Sequence, residues 1–151
     1  HTPRAIKAAG LEEKFFSERS RVLLEEVIPR FKATLSHNLT IGKWSGYLRN
    51  TYYGKATGPD IIATDKRIGD FEFDERGHQV FHGKVITDLS VAYNFTPKTS
   101  LTLGVNNLLD LYPDKNVKAI SNNDQFVYSR AISQFGLNGR YVFLRATFNL
   151  F

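Results

Sequence analysis

The chain predicts an all-β fold of antiparallel strands, and within that class a segment of a transmembrane β-barrel. Three observations carry the prediction. KVITDLSVAYNF, SLTLGVNN and RYVFLRATFNLF alternate apolar and polar side chains, as strands do when one face meets lipid and the other meets water. The short turns IGK and TPK alternate with two loops of about thirty residues, the pattern of barrels with short periplasmic turns and long outer loops. The final strand runs to an aromatic residue, Phe151.

Bulk composition narrows the alternatives. With 42% hydrophobic, 13% aromatic and 23% charged residues in 151, the chain has the make-up of one ordered domain and not of a disordered segment. No run approaches the 18 or so apolar residues of a membrane-spanning helix. The negative mean hydropathy leaves a barrel open, because a barrel strand is only half apolar and its loops are polar. Cysteine is absent, which removes disulfides, thiolate metal ligands and cysteine nucleophiles. The net charge of +5 is spread without a dense basic patch, so nucleic acid is not an expected partner. Methionine is absent too, and the opening HTPRAIKAAG shows no signal peptide. The expectation is a mature or truncated piece of a longer protein.

The elements follow in order. Residues 1–28 read as a loop with a short helix, for which Thr2 and Pro3 supply a start signal. SRVLLEEVIPR is ambiguous between that loop and the beginning of a strand entering at Pro29. Residues 29–54 read as a hairpin. Phe31, Ala33, Leu35, His37, Leu39 and Ile41 share one face, and Trp44, Gly46, Leu48, Asn50 and Tyr52 return after the turn at Gly42. Residues 55–83 lack a sustained period and read as an extracellular loop.

Residues 84–109 form a second hairpin, with Val85, Thr87, Leu89, Val91, Tyr93 and Phe95 on one face, a turn at Thr96-Pro97-Lys98, and Leu101, Leu103 and Val105 beyond it. The phase breaks at Asn107, which suggests a bulge. Residues 110–138 read as a second extracellular loop and 139–151 as the closing strand. There Val142, Leu144, Ala146, Phe148 and Leu150 make the lipid face, and Phe151 falls one residue out of phase. The total is five strands, or six if the ambiguous segment adds one.

Chemistry-bearing motifs are sparse. There is no Ser/His/Asp context, no GxSxG elbow and no Walker loop, so catalysis and a bound cofactor are not expected. His78 and His82, four apart and near Asp74, are the candidates for a metal site in the first outer loop. A solvated charged loop is the plainer reading, because Gly77 and Gly83 discourage the helix that would bring the two together. The acid pairs Glu25–Glu26 and Glu72–Asp74 read as solvated surface. Arg49, Asp88, Asn106 and Arg145 all fall on the face opposite the apolar set, which in a barrel is the lumen. Trp44, Tyr52, Tyr93, Phe95, Phe143 and Phe148 sit near strand ends as interfacial aromatics do, although the phase turns Phe143 inward. Tyr112 and Tyr128 in the second outer loop are the candidate cargo contacts.

The phrases DLSVAYNF, LGVNNLLD with the following Tyr112-Pro113, and FGLNGRY before a terminal aromatic strand resemble the C-terminus of TonB-dependent outer-membrane receptors. The likeness is strongest over 84–151 and reaches more loosely back through KWSGYLRNTYYG, IPRFKATLSH and GLEEKFFS. It implies a plugged barrel of 22 strands, located in the bacterial outer membrane, that imports a scarce nutrient such as a metal chelate. The implied partners are the remaining strands and plug of the same receptor, outer-membrane lipid, the periplasmic TonB system and an unidentified small-molecule or peptide cargo. The terminal strand would also carry the barrel-assembly signal. Two other readings remain: a small autonomous outer-membrane barrel, which needs about eight strands, and a soluble secreted β-sandwich binding module, which needs more frequent turns.

Overall fold

The computed structural model describes residues 10–11, 14, 16–61, 67–122, 125–132 and 134–149. Its architecture is mostly antiparallel β, in two compact units that the chain enters alternately. One unit collects Lys32–Tyr53, Lys84–Tyr112 and Gly136–Phe151; the other collects the described residues of His1–Phe31, Gly54–Gly83 and Pro113–Phe135. The apparent hairpins and the apparent loops thus segregate from each other.

The sheet unit contains β1 (Lys32–Ile41), β2 (Trp44–Tyr53), β7 (Lys84–Thr96), β8 (Thr99–Asn106) and β9 (Tyr141–Phe148), in the spatial order β1-β2-β7-β8-β9. All four pairings are antiparallel. The sheet is open: β1 and β9 are its two edges and do not pair with each other. Ile41 opposes Trp44 across a two-residue turn in which Gly42 has φ +58°, a positive value that a β-branched residue would adopt only under strain. Thr96 opposes Thr99 across Pro97-Lys98, so the second turn is one residue tighter than the sequence suggests. Pro97 needs no ladder partner there.

β8 stops at Asn106 because Asn107 and Asp110 both adopt left-handed backbone, at φ 50° and 55°. The phase break at Asn107 is therefore a strand end and not a bulge. The side chain of Asn107 replaces the lost ladder: its Oδ1 accepts the Leu111 N–H at 2.9 Å and its Nδ2 donates to the Leu111 carbonyl at 2.7 Å. Asp110 Oδ1 then accepts the Arg140 N–H at 2.7 Å, at the approach to β9. Gly139, at φ +65°, leaves room for the Tyr112 hydroxyl and the Asp110 carboxylate where a Cβ would collide with both. The NNLLD and FGLNGRY phrases are one interlocked corner.

The second unit corrects the reading of 55–83 as a loop without strands. It holds β3 (Ala56–Ile61), β4 (Arg67–Ile68), β5 (Phe71–Phe73) and β6 (His78–Phe81), in the order β3-β6-β5-β4. These strands are too short and too irregular to show a period. Pro59 sits on the edge strand β3, within a register shift between Thr57 and Ile61, where a missing N–H costs no ladder bond. The β5–β6 turn is set by Asp74, whose Oδ1 accepts the N–H groups of Arg76 and His78, both at 2.9 Å, ahead of Gly77 at φ +84°.

The first half of SRVLLEEVIPR is helical and the rest is turn, with no strand: α1 spans Glu18–Glu25. Ser17 caps it by accepting the Ser20 N–H, and Pro29 lies just beyond its end. The start signal at Thr2-Pro3, and the phase of Leu150 and Phe151, lie outside the described residues. A small core of Val27, Ala56, Phe81 and Ile132 joins three stretches of this unit.

Candidate functional site

Register decides what each side of the five-stranded sheet presents, because residues paired across an antiparallel ladder project to the same face. Leu39, Gly46, Val91, Leu103 and Leu144 stand in one row across all five strands. On the other side the row through Ser36, Arg49 and Asp88 is polar, as is the row through Thr40, Ser45, Ala92, Thr102 and Arg145 apart from its alanine. The apolar face lacks charge throughout. Its polar members include His37 on edge strand β1, Thr99 at the start of β8, and Asn50 and Thr87, which satisfy one another through a 2.8 Å side-chain hydrogen bond.

That apolar face is left in contact with solvent. Leu39 is 62% exposed, Leu103 55% and Leu144 67%. Each such side chain forgoes about 1–2 kcal/mol of burial when it faces water, and a contiguous apolar surface of this kind marks an interaction face. Near the two short turns it carries an aromatic cluster. Trp44 meets Tyr93 edge to face at 4.8 Å, and Tyr93 meets Phe95 in the same way at 4.9 Å. Lys43 reaches the Phe95 carbonyl beside them.

The four residues read as lumen-facing share the polar face by register. They do different things there. Asp88 Oδ2 accepts from Arg49 Nε at 2.9 Å and Nη2 at 2.7 Å, while Oδ1 accepts the Asn107 N–H at 2.9 Å. Asp88 is buried by these contacts, so it serves the sheet itself. Asn106 is exposed beside its partner Tyr141. Arg145 sits 5.6 Å from the Phe143 ring, and the tip of that ring lies over Gly104, its cross-strand partner, filling the volume a side chain would take. Phe143 thus packs on the polar side of the sheet.

The three metal candidates do not converge. Four residues along an extended segment separate His78 from His82 by about 13 Å. His78 is fully buried, with both ring nitrogens lacking a hydrogen bond and Glu18 3.5 Å from Nε2. Asp74 is occupied by its turn and by Arg76. His82 instead stands between two carboxylates, with Nδ1 2.8 Å from Asp114 and Nε2 3.1 Å from Glu72. Asp114 first and Glu72 second hold its pKa above the ordinary imidazole value. Two carboxylates on opposite ring edges make a clamp and not a chelate, and no three such side chains among the described residues are arranged to hold a metal ion.

The acid pairs are not simply solvated. Arg76 Nη2 bridges Glu26 at 2.6 Å and Asp74 at 2.7 Å. The Arg76 hydrogen bond lowers the pKa of Glu26; for Asp74, burial works against ionisation, and the His78 amide and Arg76 outweigh it. The second loop is ordered in the same manner. Gln79, fully buried, donates to the Lys115 carbonyl at 2.7 Å and accepts the Val117 N–H at 3.1 Å. Gln134 donates to the carbonyls of Gly54 and His82. Tyr128 pairs by backbone with Lys115, whereas Tyr112 belongs to the sheet unit and rests on Gly139, so the two candidate cargo tyrosines fall in different units. Sequence reasoning missed Arg76, Gln79, Gln134 and Asp114 because each acts across 30 or more residues, or through a turn with no period of its own. Comparison with protein families, with curated proteins and with solved structures finds no match to this chain.

Proposed function

We propose that this chain is the C-terminal wall segment of a TonB-dependent outer-membrane transporter that imports a scarce nutrient such as a metal chelate. One observation carries the reading: five paired strands put most of their apolar side chains on one exposed face and all their charges on the other. A ten-residue strand is about 33 Å long, and at a tilt of about 40° it spans about 25 Å, the height of a barrel's apolar band. Trp44, Tyr93 and Phe95 at the short-turn end suit the interface with headgroups.

The open edges of β1 and β9 support further strands as partners, since unpaired backbone groups in lipid cost several kcal/mol each. In this reading β9 closes the barrel on its first strand, and the compact unit of α1 and β3–β6 is the extracellular loop region that meets cargo. The plug and the TonB-contacting segment belong to the rest of the receptor. The role of the chain is structural and gating, with no chemical step. A small self-contained barrel would leave the edges of β1 and β9 unpaired, and a soluble sandwich would leave the apolar face uncovered.

The test is to isolate the polypeptide that carries this sequence from bacterial outer membranes. The reading requires extraction only by detergent, a heat-dependent shift in gel mobility and an intact mass several times 17.2 kDa, or a copurifying piece that makes up the difference. A monodisperse, detergent-free protein of about that mass contradicts it.

A further inference from the structure

Within the unit of short strands and loops lies a cleft of about 360 Å³ whose lining includes Arg19, Asp60, Asn116, Ile120, Phe126 and Arg130. Its charges do not balance. Arg19 Nε donates to Asp60 at 2.9 Å, which leaves the remaining donors of a five-donor guanidinium available. Arg130 lies 4.4 Å above the Phe126 ring, and no carboxylate among the described residues pairs with it. Contact with the ring restrains the guanidinium, whose planar donor set matches a carboxylate. The ring is itself anchored: the Phe126 N–H donates to Ser121 at 2.8 Å, and its carbonyl accepts from Asn116 Nδ2 at 3.1 Å. Asn116 is thereby committed to the loop, since its Oδ1 is shielded from solvent.

An unpaired guanidinium beside an aromatic and aliphatic wall describes a particular class of guest. We propose that this cleft binds a small organic carboxylate: an anionic head on Arg130 and an apolar or planar body against Phe126 and Ile120. The volume suits a compact molecule rather than a polymer. A carboxylate is favoured over a bare inorganic ion because Ile120, Phe126 and Ala131 line the cleft beside the charges. Use of the site as a cargo contact rests on the transporter reading; binding does not.

The experiment is equilibrium dialysis of radiolabelled benzoate against the whole purified polypeptide, with benzyl alcohol as the neutral analogue of nearly the same shape. Benzoate is expected to bind at least tenfold more tightly than benzyl alcohol, and Arg130→Ala to weaken benzoate about tenfold or more. Asp60→Asn, which releases Arg19, is expected to tighten benzoate about threefold; a gain in affinity cannot come from misfolding, so this variant decides the matter if Arg130→Ala fails to fold. Equal binding of the two probes, or benzoate affinity unchanged in both variants, overturns the proposal. Detergent dependence of the same sample separates the two ideas: a water-soluble protein that needs Arg130 for benzoate keeps the cleft and sinks the transporter, and a membrane protein that ignores benzoate does the reverse.

Discussion

Asp88 holds the backbone N–H of Asn107 at 2.9 Å with one carboxylate oxygen while its other oxygen takes the forked guanidinium of Arg49. Three strands, β2, β7 and β8, are thereby joined at one level on the polar side of the sheet, at the point where β8 ends. Asp88→Asn keeps the shape and an acceptor for Asn107 but leaves Arg49 without its counter-charge. With Asp88 buried and Arg49 half exposed, the expected loss is about 1–3 kcal/mol. Urea unfolding in detergent micelles measures it, and a change under about 0.5 kcal/mol, the range of an ordinary surface substitution, rules out this structural role.

Gly104 and Phe143 form a second dependent pair. The Phe143 ring occupies the space above Gly104, so Gly104→Ala must displace it. Overpacking of this kind costs about 1–3 kcal/mol. In a Phe143→Ala background the same alanine meets little, and its cost should fall to a few tenths of a kcal/mol. Unfolding midpoints of the four proteins close the cycle; additive losses would show that the two residues act independently.

The His82 clamp sets a pH dependence. Its folded pKa lies above the ordinary imidazole value because Asp114, then Glu72, favour the charged ring. The stabilisation is therefore complete below the unfolded pKa of about 6.5 and is lost as pH rises through the higher folded value. Amides of residues 114–117 should exchange faster at pH 8.5 than at pH 5.5, after correction for intrinsic rates. Asp114→Asn should flatten that difference. Protection that is independent of pH in the parent protein would remove His82 from the account.

What was legible in the sequence was whatever repeats every second residue. Leu35, Leu39 and Leu103 declare their face because no neighbour of theirs along the strand is a large apolar residue, and the contrast survives in the observed register. The unit of short strands was illegible for the opposite reason. Its order depends on single side chains reaching distant backbone, as Gln79 does to Lys115 and Val117, or Gln134 to Gly54. Polar residues of this kind look like solvated loop until their partners are known. Asn107 falls between the two cases: its broken phase was visible, but its left-handed backbone and its bond to Leu111 were not.

The absence of cysteine from this chain makes the central claim directly accessible, because every introduced thiol here has a known position. Single cysteines at Leu39, Leu103 and Leu144, and separately at Ser36, Thr102 and Arg145, can be spin-labelled in the polypeptide reconstituted into lipid bilayers. Collision with oxygen, which concentrates in lipid, is then compared with collision with a water-soluble nickel chelate. Labels at 39, 103 and 144 should favour oxygen, and labels at 36, 102 and 145 the chelate, in strict alternation along each strand. Equal accessibility to the chelate on both faces would contradict the account of this sheet as a membrane wall.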